Sequence, residues 1–546
     1  MTGGRPGLMA VMILVLPLLG ADRHRAGDAG KGVLRHESGA FEGYTLFAPL
    51  RSTTTYLVDM RGRVVHTWES DVPPGHSVYL LKNGHLLRCG RDLRNGAFHG
   101  GGIGGRVCEY DWDGKLVWEY VYSDEQHCQH HDIEPLPNGN VLILAWERKS
   151  DDEAIAAGRN PDLLHGRELW ADHIIEVKPE GQRGGTVVWQ WHVWDHLVQD
   201  HDSTRANFGF VEDNPARIDI NFVGGSTDLS SAELRRLRSL GYVGGSPGGG
   251  GQGGQADWNH TNSIAYNAEL DQIVLSVLGF DEIWVIDHST TTAEAAGSAG
   301  GRWGQGGDLL YRWGNPQTYR AGTAADRRLF AQHDARWIEP GFPGAGNLLV
   351  FNNGRGRREG RYSTVDEIAS PLSRDRKYRR KAGAAFGPAK PAWTFKSGEA
   401  ADFFSGHISG AQRLANGNTL ICCGEKGHLF EVTRAGKVVW EYANPHSGKT
   451  GMQGPPPGAP GVFGPPPDRR PGAGGVPRGR PQRTGPAMGG RQPGPPGPPG
   501  GHDEATAMFR ATRIAPNHPG LAGRDLSPKE DPPANGSLKP GKGGKR

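Results

Sequence analysis

The stretch HISGAQRLANGNTLICCGEKGHLFEVTRAGKVVWEYA, residues 407–443, indicates the fold class. It contains four short strand-like segments in a fixed order: one headed by His407, one apolar, one ending near an acid, and one carrying Trp440. An NG pair separates the first two segments, and such turns are typical of antiparallel hairpins. No long amphipathic helix intervenes. The stretch is therefore predicted to be one four-stranded antiparallel unit.

The same order of segments recurs along the chain. First segments headed by histidine begin at His76, His130, His260, His333 and His407. The tryptophan of the fourth segment occurs six times, at Trp68, Trp118, Trp189, Trp313, Trp393 and Trp440. Four-stranded units repeated around an axis form a β-propeller. We therefore predict an all-β, six-bladed β-propeller over residues 41–443, with an insertion at about 200–256 that includes a short helix.

One first strand is missing from the repeats. Blade material begins at Gly43 with GYTLFAP, which matches a second strand. Residues 505–526 offer the absent strand, because Arg513-Ile514-Ala515 matches Arg413-Leu414-Ala415. Pairing the two chain ends would close the ring and leave no free sheet edge. A tail that merely contains one apolar run is the alternative. The closing strand is expected to place Thr506 or Ala507 where the other blades have histidine.

The remaining segments are assigned by composition. Residues 1–21 resemble an export signal, since Arg5 precedes an apolar run, Leu8 to Leu19, that is too short to span a bilayer. An uncleaved anchor is the alternative. Residues 22–40 are expected to be a linker, and 444–504 a disordered Pro/Gly-rich loop. Residues 527–546 form a basic tail. These assignments predict a periplasmic or secreted protein without stable membrane insertion after signal cleavage.

Charge and cysteine content exclude several classes of protein. Lys and Arg (62) nearly balance Asp and Glu (59), so no nucleic-acid partner is expected. Five cysteines are too few for a disulfide scaffold; we expect at most one or two bridges, with Cys89–Cys108 as the favoured pairing. The chain contains neither a CxxC motif for a thiolate zinc site nor a GxxxxGK[ST] loop for a nucleotide.

The histidines are predicted to converge. His76, His131 and His260 each lie seven residues before a turn residue, and inner strands of a propeller meet around the central channel. Several neutral imidazoles suit metal binding, or a nucleophilic histidine served by a second histidine. The nucleophilic scheme needs a cation for an oxyanion, and NNGRGR (352–357) supplies guanidinium groups. Both chemistries stay open on the residues alone.

Several motifs together resemble the arylsulfate sulfotransferase (arylsulfotransferase, ASST) family. They are DWNHTNS (257–263), QHDAR (332–336), FNNGRGR (351–357), SGHISGAQRLANGNTL (405–420), LPNGNVLIL (136–144) and FRATRIAPNHPGLAGRDL (509–526). The resemblance covers roughly residues 41–443 and 505–526. It implies a six-bladed propeller that moves a sulfuryl group from an aryl sulfate to a phenol, without a nucleotide, metal or other cofactor.

The resemblance also implies catalytic roles. His407 would be the nucleophile that becomes a sulfohistidine. His260 and His333 would bind the transferring group and handle protons, and Arg357 would bind the sulfuryl oxygens. Transfer would be ping-pong, with a small-molecule aryl sulfate and a phenol as the substrates.

Three further residues are expected to bind substrate: His131, Arg355 and Asn353. The family's usual acid in the arginine motif is Asn352 here, so the choice between Arg355 and Arg357 stays open. Only about 20 residues separate the signal from Phe41, so the β-sandwich that precedes the propeller in the family is not expected. A dimer built through that domain is then in doubt, and the sequence leaves the oligomeric state open.

Two other functions fit the same pattern. One is a non-catalytic propeller that binds a ligand or a metal through the ring of histidines. The other is a quinone-dependent dehydrogenase, because those enzymes are also tryptophan-rich propellers; a bound chromophore would identify it.

Overall fold

The structure, a computed structural model, describes residues 30–164, 168–224, 235–236, 256–369, 372–373, 375–398, 403–447 and 506–529. Within these ranges the chain forms six antiparallel sheets arranged as a six-bladed β-propeller, which confirms the predicted fold class. The expected signal peptide, nearly all of the 444–504 loop, residues 530–546 and most of the predicted helix in the insertion lie outside the described residues.

Each blade is built on four antiparallel strands, which follow one another in the chain except in blade 1, where the innermost strand comes from the C-terminal region. The innermost strands of blades 1 to 6 are β27 (Met508–Ile514), β5 (Pro74–Leu80), β9 (His127–Pro135), β15 (Thr261–Asn267), β19 (His333–Trp337) and β23 (Ser409–Arg413). The second strands are β2 (Tyr44–Pro49), β6 (Leu86–Arg91), β10 (Val141–Ser150), β16 (Gln272–Val277), β20 (Leu348–Asn352) and β24 (Thr419–Cys423).

The outer half of each blade is built in the same way. The third strands are β3 (Thr54–Val58), β7 (Gly105–Tyr110), β11 (Glu168–Pro179), β17 (Glu282–Asp287), β21 (Thr364–Ile368) and β25 (His428–Val432). The outermost strands are β4 (Val64–Glu69), β8 (Leu116–Val121), β12 (Gly185–His192), β18 (Tyr311–Trp313), β22 (Trp393–Phe395) and β26 (Val438–Ala443).

Two additions extend this plan. Strand β1 (Gly32–His36) pairs with β26 and gives blade 6 a fifth strand, inside the segment that composition had suggested to be a linker. Strands β13 (Leu197–Val198) and β14 (Ile218–Asp219) form a small parallel pair in the described part of the insertion.

The helical elements among the described residues are all short. They are α1 (Asp151–Ala156), α2 (Thr292–Ala295) and 3-10 turns at Pro161–Leu163, Val193–His196, Val211–Asp213, Leu278–Phe280, Pro316–Tyr319, Ala324–Asp326, Gly424–Lys426 and Pro519–Leu521. None of them has the length and apolar character needed to cross a membrane.

The ring is closed by the C-terminal strand, as the sequence predicts. β27 pairs with β2, so that Arg513 lies opposite Thr45. Each innermost strand contacts that of the next blade, and β23 contacts β27. Apolar side chains fill the space between neighbouring blades: Phe47 and Val58 of blade 1 share one cluster with Trp440 of blade 6. No blade therefore buries its faces alone, and the core is distributed around the ring.

The six tryptophans of the outermost strands join each blade to the next. Each indole Nε1 donates a hydrogen bond across the gap, and the six bonds run in one direction around the ring. The acceptors, in blade order, are Asp111 O (3.1 Å), Gly184 O (2.8 Å), Thr290 Oγ1 (3.1 Å), Pro388 O (2.8 Å), Arg434 O (2.9 Å) and Met60 O (3.0 Å). These residues therefore have a packing role, as the sequence register indicates.

The expected Cys89–Cys108 bridge is wrong. All five cysteines are buried and free. Cys89 lies opposite Val107 and Cys108 opposite Arg88 on the paired strands β6 and β7. Neighbouring positions on paired strands direct their side chains to opposite faces of a sheet, so these two sulfurs cannot meet.

Candidate active site

Five histidines lie around one end of the central channel, here called the channel mouth. His76 and His131 lie within β5 and β9, His333 begins β19, and His260 and His407 come just before β15 and β23. The ring centroids of His131 and His260 are 4.6 Å apart, and those of His76 and His131 are 5.7 Å apart. The structure thus brings together the imidazoles that the strand register placed at equivalent positions.

The backbone is irregular where these histidines enter the channel. His76, His131 and His260 have φ values of 100°, 50° and 49°, in the left-handed region. Their strands carry register shifts at or near these residues. A left-handed conformation costs a residue other than glycine on the order of 1 kcal/mol, and such strain concentrates at functional sites. Bulges of this kind change the direction of a side chain and are common next to active sites.

Phe509 occupies the histidine position of blade 1. Its ring centroid is 5.1 Å from that of His76 and 6.4 Å from that of His333. The sequence expectation of Thr506 or Ala507 at this position is wrong, because the pairing of β27 with β2 shifts between Phe47 and Pro49. The mouth is therefore closed on this side by an aromatic ring.

Gly102 allows His131 to fold inward. A Cβ atom at this position would lie 2.1 Å from the His131 ring, and Gly102 has φ +85°. Its carbonyl accepts a hydrogen bond from the His131 backbone N–H at 2.7 Å. The backbone of the GIGGR segment (102–106) therefore packs directly against the His131 ring at the channel mouth.

His260 is held by Asp257, which the sequence reasoning missed. His260 Nδ1 lies 2.5 Å from Asp257 Oδ2, and Trp146 Nε1 donates to the other oxygen at 3.0 Å. Asp257 belongs to the DWNHTNS motif, three residues before the histidine, and that spacing was the available signal. The carboxylate fixes the Nδ1–H tautomer and leaves Nε2 of His260 as the reactive nitrogen.

His333 is held by Asn353 in the same manner but with a neutral partner. His333 Nδ1 donates to Asn353 Oδ1 at 2.9 Å, and the Asn353 amide donates to Ser405 O (2.7 Å) and Ser409 Oγ (3.1 Å). Both acceptors lie beside His407, so Asn353 links blade 5 to blade 6. Asn353 is fully buried and its amide is engaged by protein groups.

The two candidate arginines lie in different surroundings. Arg355 lines a pocket together with His407. Arg357 instead donates to Thr364 Oγ1 at 3.0 Å, with its guanidinium 4.9 Å from the ring centre of Phe330 and 4.8 Å from that of Tyr362. The structure therefore places Arg355, and not Arg357, beside the histidine at which the family resemblance put the chemistry.

The pocket at His407 is rich in cations. Its lining consists of Arg236, Arg355, Arg361, Phe404, Gly406, His407 and Glu425. Arg236 comes from the insertion and lies 3.6 Å from Glu425. Glu425 accepts a hydrogen bond from the Gly406 N–H at 3.1 Å. Arg236, Arg361 and Glu425 were not singled out from the sequence, because no motif connects them. Three guanidinium groups against one carboxylate favour an anionic ligand.

Burial keeps His131, His333 and His407 neutral. Burial, reinforced by the charge of Arg355, lowers the pKa of His407 well below its usual value. Burial likewise lowers the pKa of His333 to about 3, although its bond to Asn353 acts in the other direction. Burial and the neighbouring histidines lower the pKa of His131. A neutral imidazole has the lone pair that a nucleophile needs.

The aspartates that follow His131 and His333 bind an arginine side chain. Asp132 and Asp334 both accept hydrogen bonds from the buried guanidinium of Arg510 in β27, the latter at 2.9 Å. Burial opposes ionisation of Asp334, but Arg336 and Arg510 outweigh it and lower its pKa. In the described part of the chain, the mouth histidines do not belong to any group of three potential metal-ligating atoms. The carboxylates thus bind an arginine and do not complete a metal site with the histidines.

Fold and site define a six-bladed propeller whose channel mouth holds a group of histidines next to an arginine-lined pocket. The family model of arylsulfotransferase (ASST) matches residues 42–450. The chain therefore belongs to the arylsulfotransferase family, which confirms the resemblance seen in the sequence motifs.

The chain is similar to curated relatives and, much more weakly, to solved structures. The chain is 25% identical over 429 residues to arylsulfate sulfotransferase AssT of Escherichia coli, covering 76% of this chain and 64% of that protein. AssT of Lelliottia amnigena is 26% identical over 433 residues, with the same coverage. A Bacteroides caccae protein of unknown function aligns with a TM-score of 0.36 and 13% identity over 74% of this chain and 94% of that one. That TM-score is too low to assign a fold, which rests here on the sheet topology.

Proposed function

We propose that this protein is a nucleotide-independent arylsulfate sulfotransferase that moves a sulfuryl group from an aryl sulfate to a phenol through a sulfohistidine on His407. The observation that carries the proposal is a neutral, buried His407 on a pocket that also presents Arg236, Arg355 and Arg361. A sulfate ester is a monoanion, and guanidinium groups suit its oxygens. Family membership supports the same chemistry. The chain spans 64% of the length of its curated relatives, so the activity itself is part of the proposal.

In the first half-reaction a lone pair of His407 forms an N–S bond to the sulfuryl sulfur while the S–O bond to the aryl oxygen breaks. Negative charge spreads over the sulfuryl oxygens and the departing phenolate. Arg355 is the guanidinium placed to stabilise the sulfuryl oxygens, in the role that the sequence motif had suggested for Arg357.

The departing phenolate takes a proton from the imidazolium of His260. The Asp257 carboxylate, 2.5 Å from His260 Nδ1, stabilises that cation. His333 is poorly suited to donate, because its Nδ1–H is held by Asn353 and its pKa is about 3. His333 Nε2 would instead accept a hydrogen bond from a phenolic O–H. The two histidines that the resemblance treats alike thus receive different roles.

In the second half-reaction the acceptor phenol loses its proton to the now neutral His260. The phenolic oxygen forms the new S–O bond while the N–S bond to His407 breaks, which restores the starting enzyme. No metal ion or nucleotide takes part in either step. Export by the N-terminal signal would place the reaction in the periplasm or outside the cell.

Mass spectrometry of alkaline-quenched protein tests the covalent step. After treatment with 4-nitrophenyl sulfate, the peptide containing His407 should carry a sulfuryl adduct, and His407→Asn protein should not. Release of 4-nitrophenol should need an acceptor phenol for turnover beyond one equivalent. An unmodified peptide together with full activity of the His407→Asn variant would contradict the proposal and leave a ligand-binding propeller as the better description.

A further inference from the structure

A second cluster of histidines lies in blade 3, away from the channel mouth. Glu147, His173 and His192 belong to the adjacent strands β10, β11 and β12. His173 lies opposite Ala145 on one side and His192 on the other. Glu147 is two residues from Ala145, so all three side chains project from the same face of the blade.

The three side chains converge to within metal-binding range. One ring nitrogen of each histidine and one carboxylate oxygen all lie within 4.8 Å of one another. His192 Nδ1 is 3.2 Å from Glu147 Oε2, and the two imidazole rings stack with centroids 5.0 Å apart. Small side-chain rotations would bring the three donors to the bond lengths of about 2.0–2.2 Å that Zn²⁺ requires.

The protein itself does not satisfy two of these donors. His173 Nδ1 and Glu147 Oε1 are buried, and no hydrogen-bond partner for either exists among the described residues. Tyr122 OH contacts the other nitrogen, His173 Nε2, at 2.9 Å. A buried polar atom without a partner costs roughly 1–3 kcal/mol. Two such atoms in one cluster indicate a missing ligand.

Lys149 is the competing cation. Its Nζ lies 3.1 Å from Glu147 Oε2 and 5.1 Å from the ring centre of Trp194. It engages only the oxygen that already contacts His192 and leaves Oε1 without a partner. The lysine therefore reduces the charge of the cluster but does not fill it.

We propose that Glu147, His173 and His192 bind one divalent transition-metal ion with the preferences of Zn²⁺. A two-histidine, one-carboxylate set is a zinc ligand set, and it excludes Mg²⁺ as the preferred ion. His192 is 22% exposed, so solvent reaches a fourth position.

The ion would act on the structure of the blade. Asp172, the neighbour of His173 in β11, faces the opposite side and accepts a hydrogen bond from the Thr261 N–H at 2.7 Å. Fixing His173 therefore fixes the strand that supports the start of β15, next to His260.

Equilibrium dialysis with metal analysis tests the proposal on the full chain after chelator treatment and dialysis. Zn²⁺ alone should bind at one ion per chain and raise the melting temperature, whereas Mg²⁺ should do neither. His192→Ala and the isosteric Glu147→Gln should each weaken Zn²⁺ binding at least about 100-fold. His192 lies on the outermost strand and is partly exposed, so its metal-free variant should melt close to the wild type.

A matched control separates this site from other histidines. His428 Nε2 is 3.0 Å from Glu441 and similarly exposed at 27%, so His428→Ala should keep the bound ion. His407→Asn should also keep it, whatever becomes of the sulfotransferase proposal. Absence of saturable Zn²⁺ binding, unchanged binding in His192→Ala, or loss of binding in His407→Asn or His428→Ala would each overturn the proposal.

Discussion

The rim of this propeller, formed by the outermost strands with their six tryptophans, differs from the channel mouth in how far the repeat is kept. The rim keeps the same contact in every blade, whereas the mouth does not. At the rim, one tryptophan per blade makes the same hydrogen bond to the next blade six times. At the mouth, the equivalent histidines have different partners: His260 has a carboxylate, His333 has an amide, and His407 has an arginine-lined pocket. Repetition thus marks positions with a common structural role, and divergence marks positions that can take separate roles in the proposed reaction.

The largest effect should follow removal of the strand that serves both regions. Truncation after residue 504 removes β27, opens blade 1 and deprives Asp132 and Asp334 of Arg510. Loss of the cooperative unfolding transition, measured by calorimetry, is expected.

Deletion of the low-complexity loop alone is the control for that truncation. Asn444 Nδ2 donates to Thr506 O at 2.9 Å, so the two ends are close and a short glycine linker can join them. This deletion should melt like the full chain. A truncated protein that melts like the full chain would contradict closure by β27.

Substitution at the mouth should abolish transfer without unfolding the ring. His407→Asn removes the nucleophile, and kcat for aryl-sulfate cleavage should fall about a thousandfold or more, which corresponds to at least about 4 kcal/mol. His76→Asn alters an equivalent position outside the arginine-lined pocket and should cost far less. Equal losses of kcat in the two variants would contradict a special role for His407 among the mouth histidines.

Alanine variants of the two arginines in the NNGRGR motif should differ in kcat by about two orders of magnitude. Arg355→Ala removes a guanidinium from the pocket, and a loss of about 100-fold in kcat is expected. Arg357→Ala removes contacts to Thr364, Phe330 and Tyr362 and should mainly lower stability. The reverse order of kinetic losses would return the sulfuryl-binding role to Arg357.

Mild acid should lower the free energy of unfolding because of the buried histidines at the mouth. His333 takes up a proton near pH 6.5 when unfolded but only near pH 3 when folded. Between these values the unfolded chain binds more protons, so the free energy of unfolding falls as the pH falls. The slope approaches about 1.4 kcal/mol per pH unit for each such histidine. Denaturant titrations from pH 7 to pH 5 measure it, and His333→Asn should reduce the slope. A stability independent of pH in this range would argue against neutral burial.

The smallest effect is expected at the rim. Trp440→Phe keeps an aromatic ring and loses one hydrogen bond to Met60 O, at a cost of about 1 kcal/mol in unfolding free energy. Catalysis should be unchanged, because the indole lies on the outermost strand. A large loss of activity in this variant would contradict a purely structural role for the rim tryptophans.

The repeat could be predicted from the sequence because strand order, turn glycines and tryptophans recur at the level of single residues. Closure by β27 could be predicted for the same reason, since RIA recurs after RLA. Phe509 could not, because a bulge in β27 shifts its register and no local pattern announces it. Asp257 lay inside a recognised motif, whereas Arg236 and Glu425 reach the pocket from segments far apart in sequence. Side chains brought together only by the closed ring leave no periodic signal.

The position of Arg510 near the end of the chain sets an order of events during biosynthesis. The carboxylate of Asp132 is made early and has no guanidinium partner until β27 arrives, whereas Asp334 already pairs with Arg336 of its own strand. A chain that lacks β27 therefore has no cation for Asp132, and an unpaired carboxylate opposes packing of the inner strands. The channel mouth is therefore expected to assemble only after its last innermost strand, β27, has been made.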